Sequence, residues 1–132
     1  EPDDGSVGLV YELIRGMQLG AVIRSKAPSR QDRFRLAFDI GSALNYLHRQ
    51  APPIVHSDLK GSNIMVQEMR YGLKAKIIDF GLSRLLRDGV SAKGGSPGWS
   101  PPERFLRAEG SRCASFDVFS YGWLLRLIFA GE

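Results

Sequence analysis

The residues of this chain that could do chemistry fall into three short runs: His56-Ser57-Asp58-Leu59-Lys60-Gly61-Ser62-Asn63, Asp79-Phe80-Gly81 and Pro101-Pro102-Glu103. They follow one another in that order, and from His56 to Glu103 they span 48 residues. The carboxylates of Asp58 and Asp79 could be the acid–base pair of a glycoside hydrolase, but nothing in the chain resembles a sugar-binding platform. Taken singly each run is weak, since a DFG triplet arises by chance and a lone His56 is more often a satisfied core histidine than a catalytic one. Order and spacing carry the signal, because the three runs together are hard to obtain by accident.

A chain of 132 residues, 43% apolar and 24% charged, has ordinary globular composition and is long enough to bury a core, which excludes wholesale disorder. One small domain is the expectation. The single Cys113 cannot close an internal disulfide, so a secreted disulfide scaffold is excluded and a reducing, cytoplasmic setting is expected. The longest apolar stretch, Trp123 to Ala130, is broken by Arg126 and is too short to span a membrane. Glu1 opens the chain without a methionine, a basic amino-terminal region or a cleavage site, so a fragment is expected and a targeting segment is not. The net charge of +4 is spread along the chain without the dense basic block of a nucleic-acid arm, so no nucleic-acid partner is expected.

The elements that must position the three runs can be read from periodicity and breakers. Leu9 to Ile14 reads as a short strand running into a loop at Arg15-Gly16, followed by a brief helix from Met17 to Arg24. Ser29 can cap a strong helix with Asp32 in its first turn and Phe34, Ala37, Phe38, Gly41, Leu44 and Leu47 on its buried face. Pro52-Pro53 stops it, since proline has no N–H to donate, and the chain must leave extended. Ile64 to Val66 and Ala75 to Ile78, around Tyr71-Gly72, fit a hairpin with a longer loop. Gly81 to Pro102 is too rich in turn formers for regular structure, and loops of that length are usually functional. Pro102 opens a small helix through Phe105 and Leu106, with Arg104 and Arg107 on a solvated face. Ser115 or Asp117 caps a last helix with Val118, Tyr121, Gly122, Leu125, Ile128 and Phe129 on one side, and Gly131 follows it. His48 is expected as a favourable group at a helix C-terminus rather than a metal ligand.

The three runs together resemble the carboxy-terminal lobe of the protein kinase family, whose catalytic loop reads H-R-D-x-K-x-x-N and is followed by D-F-G and A-P-E. The resemblance covers nearly the whole chain: Leu9 to Gly16 looks like the hinge strand, and Asp117-Val118-Phe119-Ser120-Tyr121-Gly122 looks like the start of the lobe's long central helix. Gly95-Ser96-Pro97-Gly98-Trp99 is similar to the G-T-P-G-W of the tyrosine-kinase-like group of serine/threonine kinases. The resemblance implies an α+β, protein-kinase-like fold, with residues 1–132 forming a partial kinase domain from hinge to central helix. This part would be a mainly helical C-terminal lobe with a short β-hairpin, the N-terminal lobe being largely missing.

It also implies an activity, transfer of the γ-phosphate of ATP to a serine or threonine hydroxyl of a protein substrate. Phosphoryl transfer passes through a loose transition state with charge spread over the phosphate oxygens, so the protein mainly positions the partners and supplies counter-charge. By the family's pattern Asp58 would accept the hydrogen bond of the substrate hydroxyl, and Lys60 would face the transferring phosphate and favour a Ser/Thr substrate over Tyr. Asn63 and Asp79 would hold Mg2+, which favours hard oxygen ligands and few carboxylates. With Tyr11 as the bulky gatekeeper, the Glu12 carbonyl and Ile14 amide would face the purine edge and Met65 would lie beneath the ring. Phe80 and His56 would pack together, Ser96 would link the substrate-binding loop to Asp58 and Lys60, and Glu103 would pair with an arginine beyond residue 132.

Two departures stand out. Ser57 replaces the arginine that in many members pairs with a phosphorylated residue, so control of that kind is not expected although Ser83 and Ser91 could be modified. No Gly-rich phosphate loop, strand lysine or partnering glutamate helix occurs before Leu9. Alone the chain is expected to bind ATP poorly, and the alternative is a pseudokinase or scaffold fragment without turnover.

Overall fold

The computed structural model describes residues 8, 10–85, 95–106 and 114–131. Expectations that fall on Leu9, Ser91, Arg107 and Cys113 lie outside the described residues. The chain runs β1 (Met17–Gln18), α1 (Leu19–Lys26), α2 (Arg30–His48), β2 (Ile54–Val55), one 3-10 turn (Gly61–Asn63), β3 (Ile64–Met69), β4 (Gly72–Ile77), β5 (Arg84–Leu85), α3 (Glu103–Leu106) and α4 (Ala114–Ala130). An antiparallel sheet in the order β1-β3-β4 lies against the helices, and β2 pairs with β5 as a second, two-stranded ribbon.

Helix α2 starts where its cap predicts. Ser29 Oγ accepts the Asp32 amide at 3.1 Å and donates to the Asp32 carboxylate at 2.7 Å, satisfying one of the orphan N–H groups of the first turn. Its buried face differs from the expected one: Leu36, Ala37, Ile40, Leu44 and Leu47 point inward, while Phe38 is 74% exposed and Phe34 54%. The helix is held between β4 and α4, and two residues of helix turn a side chain by about 200°, so burying Leu36 sends Phe38 outward. Phe34 instead meets Phe129 edge-on, ring centroids 5.1 Å apart.

The same helix finishes the edge of the sheet. Among the described residues strand β4 pairs with β3 alone, and its outward N–H groups at Leu73 and Ala75 are taken by Asp32 Oδ1 at 3.3 Å and Asp39 Oδ2 at 3.0 Å. Acidic residues seven apart lie two turns along one helix face, so both can face the same strand. The hairpin joins Met69 to Gly72 across a two-residue turn, so its strands are longer and its loop shorter than expected.

Three further expectations shift. Residues 10–15 form no strand, and the pairing with β3 falls on Met17 and Gln18, opposite Val66 and Met65. The first helix therefore begins at Leu19 rather than Met17. Gly16 is required at this junction, since a Cβ there would lie 2.3 Å from the Val66 carbonyl oxygen. The loop from Gly81 to Pro102 contains β5, and its residues 86–94 lie outside the described ones.

Helix α4 buries Phe116, Asp117, Ser120, Leu124, Leu127 and Ile128, whereas Val118 and Phe129, expected inside, are exposed. Ser115 and Asp117 sit within the helix and do not precede it. Its inward side meets α2 where Tyr121 Oη donates to the Ala37 carbonyl at 2.9 Å, close against Gly41. Arg33 donates to the Ile128 carbonyl near the helix end, where Gly131 at φ 85° returns its N–H to Leu127. Leu19 and Val22, Leu36 and Ile40, Leu59 and Ile64, and Leu124 and Ile128 form one core, each contributing about 2 kcal/mol by burial. No described helix is long and apolar enough to cross a membrane.

Candidate active site

The loop from His56 to Lys60 leaves β2 and enters the 3-10 turn, so it has no strand partner for its backbone. Buried N–H groups need acceptors, and Asp117, at 1% exposure on α4, supplies them: Oδ2 accepts the His56 amide at 2.8 Å and Oδ1 the Ser57 amide at 2.9 Å. His48, at the end of α2, donates its Nε2 to Asp117 Oδ2 at 2.9 Å. Held this way, Ser57 takes a left-handed φ of 72°, unusual for a residue with a Cβ.

The His56 ring is fixed from both nitrogens. Nε2 donates to the Ile78 carbonyl at 3.1 Å and Nδ1 accepts the Asp58 amide at 3.3 Å, which sets the Nε2–H tautomer. Its face meets Phe80, centroids 5.1 Å apart at 64°, the contact expected from the sequence.

Asp58 is the centre of a polar cluster. Ser96 Oγ donates to its Oδ1 at 2.9 Å, Lys60 Nζ lies 2.8 Å from its Oδ2, and Asn63 Nδ2 donates to Oδ2 at 3.2 Å and to the Asp58 carbonyl at 2.9 Å. Lys60 Nζ also donates to Ser96 Oγ at 2.8 Å, so the three side chains close a triangle. Burial pushes the Asp58 carboxyl up, but the hydrogen bonds from Lys60 and Ser96, the charge of Lys60 and the bond from Asn63 outweigh it and hold the group below its ordinary value.

Asp79 joins from the far end of the hairpin. The Ile78 amide donates to the Asn63 carbonyl at 2.9 Å, which ties the residue before Asp79 to Asn63. Asp79 itself has φ 63° and accepts the Gly81 amide at 3.2 Å, leaving an exposed carboxylate. Asn63 spends its amide nitrogen on Asp58, and its Oδ1 and the exposed Asp79 carboxylate are hard oxygen donors of the kind Mg2+ takes.

Residues 10–15 run past this sheet with Tyr11 78% exposed and Ile14 half-buried. Glu12 pairs with Lys76, and Lys76 stands opposite the half-buried Met65 in the hairpin register, so Glu12 and Met65 come to the same part of the sheet.

Two functional residues escaped sequence reasoning. Asp117 was expected as a helix cap and as the first residue of the run resembling the family's central helix, and it is the anchor of the loop, a role neither expectation named. Arg104, expected on a solvated face, is half-buried beneath the loop with Nη1 donating to the Ser57 carbonyl at 2.5 Å. Nothing in its neighbourhood in the sequence distinguishes it from a surface arginine. Glu103 is exposed, as a residue without a partner among the described ones can be.

Comparison with known proteins identifies the family. The family model described as protein kinase domain matches residues 2–132. The chain is 40% identical over 131 residues to serine/threonine-protein kinase CTR1 of Arabidopsis thaliana, covering 95% of this chain and 15% of that protein. It is 36% identical over 131 residues to a mitogen-activated protein kinase kinase kinase of Drosophila melanogaster, covering 94% of this chain and 11% of that one. Among solved structures, the yeast RNA Pol II CTD kinase CTDK-1 complex contains a chain that superposes with a TM-score of 0.74 at 27% identity, over 88% of this chain and 38% of the other. The chain thus spans only a small part of the curated relatives it matches. With the family model, the relatives and the fold in agreement, the chain belongs to the protein kinase domain family.

Proposed function

We propose that this chain carries the catalytic loop of a protein kinase that transfers the γ-phosphate of Mg·ATP to a serine or threonine hydroxyl of a protein. The observation that carries the proposal is the closed triangle of Asp58, Lys60 and Ser96, with Asn63 bonded to the same carboxylate. On this reading residues 10–16 are the hinge, 56–63 the catalytic loop, 79–81 the metal-binding turn, 95–103 the end of the activation segment, and α4 the central helix.

Asp58, kept ionised by its neighbours, accepts the hydrogen bond of the incoming hydroxyl and aims it for in-line attack. Lys60 places a compact cation beside the carboxylate and reaches Ser96, so the loop that receives the substrate and the loop that orients its hydroxyl are joined through one ammonium group. That link supports a Ser/Thr acceptor, as does the similarity to the Arabidopsis serine/threonine-protein kinase CTR1. Asn63 and Asp79 hold the metal through oxygen; when bound, the ion neutralises phosphate charge. Adenine is held by main-chain groups of Glu12 and Ile14, with Met65 as its apolar floor. Ser57 gives no cation to a phosphorylated activation segment, so activity does not depend on that pairing. The single cysteine supports a reducing, cytoplasmic setting.

The test is turnover of a generic basic protein by the intact natural protein with Mg·ATP. Asp58→Asn and Asp79→Asn are each expected to lower kcat by about 100-fold to 10,000-fold. Turnover that survives both changes excludes the assigned roles. A wild type that binds Mg·ATP and transfers no phosphate supports the scaffold instead.

A further inference from the structure

We propose that Arg104 is a positioning residue for Asp58, a cation clamped beneath the catalytic loop that fixes the Ser57–Asp58 peptide from its carbonyl side. The inference rests on the kinase reading above.

The setting of Arg104 is unusual for a residue on a short surface helix. Its guanidinium carbon lies 5.8 Å from the centre of the Phe116 ring on one side. On another side is Gly95, at φ 120°, where a Cβ would come within 2.7 Å of the same carbon. Nη1 donates to the Ser57 carbonyl at 2.5 Å and to Ser100 Oγ at 3.4 Å, while Nε and Nη2 are buried and have no hydrogen-bond partner among the described residues. Burial pulls the guanidinium below its usual pKa, and the negative charges of Asp58 and Asp117 oppose that shift.

A half-desolvated cation with two unsatisfied donors adds little to folding, and an unbranched apolar side chain of similar length would fill the slot at comparable stability. What it adds is orientation. The Ser57 carbonyl and the Asp58 N–H belong to one rigid peptide plane. That plane carries a left-handed residue on its N-terminal side, so it needs restraints. Asp117 holds the Ser57 amide, His56 Nδ1 accepts the Asp58 amide, and Arg104 supplies the third hold, on the carbonyl. Rotation of this peptide would swing the Asp58 side chain out of the triangle with Lys60 and Ser96.

The experiment compares Arg104→Met, Arg104→Lys and wild type in the intact protein. Steady-state transfer to a basic protein substrate is normalised to the number of sites that bind a fluorescent ATP analogue, and amide hydrogen exchange is read at Asp58. Arg104→Met is expected to lower kcat per site about tenfold to a hundredfold, with KM and nucleotide affinity within about twofold of wild type on the same grounds. Exchange at the Asp58 amide rises about tenfold as its plane is freed. Arg104→Lys restores part of both, which loss of packing alone would not explain. Unchanged kcat per site together with unchanged exchange in Arg104→Met overturns the clamp. Should Arg104→Met fail to fold, Arg104→Lys and Arg104→Gln, which keep an N–H donor at the slot, give the same readouts. If wild type transfers no phosphate, the kinase reading fails, and exchange at the Asp58 amide still decides whether Arg104 holds the loop.

Discussion

Replacing Asp117 by alanine removes the acceptors of two buried backbone N–H groups at once, those of His56 and Ser57, at 2.8 and 2.9 Å. A buried donor left without a partner costs about 1–3 kcal/mol, so the loop should lose about 2–6 kcal/mol of local stability. His48, the third partner, is partly exposed and can turn to water, so His48→Ala should cost less than about 1 kcal/mol. Asp117→Asn keeps one acceptor oxygen but turns an NH2 group toward the second amide, and its cost should fall between the two. Amide hydrogen exchange at His56 and Ser57 reads these differences directly, because each 1.4 kcal/mol is about a tenfold change in protection. Asp117→Ala should speed exchange there by at least about thirtyfold, and turnover should drop with it because Asp58 follows in the same loop. An alanine variant whose exchange at both amides stays within about threefold of wild type would refute the anchoring role.

Two further predictions use other parts of the site and its frame. Ser96→Ala removes a hydrogen bond that lowers the Asp58 pKa, so that pKa rises; the acidic limb of the kcat/KM profile, which follows loss of the ionised form as pH falls, should move to higher pH, and a profile unmoved by the change would mean that Asp58 is not the group being titrated. Gly16→Ala drives a Cβ against the Val66 carbonyl, which as backbone cannot swing aside, so β1 should separate from β3 at a cost of about 1–3 kcal/mol, seen as a lower Tm, and an unchanged Tm would show that the junction is slack.

How much of this was readable beforehand depended on whether a residue's role was local. Ser29 and Asp32 predicted the start of α2 because a cap acts within one turn, and the two apolar runs around Tyr71-Gly72 predicted the hairpin for a similar reason. The three motif runs stood out through their order and spacing, and the contact of His56 with Phe80 and the bonds of Ser96 to Asp58 and Lys60 fell where the family resemblance put them. Rotation of the helices was not legible. Phe34 and Phe38 satisfy helical periodicity as well as Leu36 and Ile40 do, and only the placement of β4 and α4 chooses between the two faces. Asp32 and Asp39 finishing the edge of β4, Asp117 holding the loop and Arg104 lying under it all answer needs created by distant backbone. A sequence shows those residues as ordinary charges, because the unpaired amide or carbonyl that each one meets exists only once the fold has formed.

The distance along the chain between the catalytic loop and its anchor has a consequence for biosynthesis. Asp117 follows His56 by 61 positions, so at ordinary rates of translation the loop residues exist for about 3–12 s before the carboxylate that shapes them has been polymerised. Throughout that interval the His56 and Ser57 amides lack the carboxylate that accepts them in the folded protein. A nascent polypeptide halted between residues 103 and 117 therefore carries all three signature runs without the carboxylate that anchors the first of them.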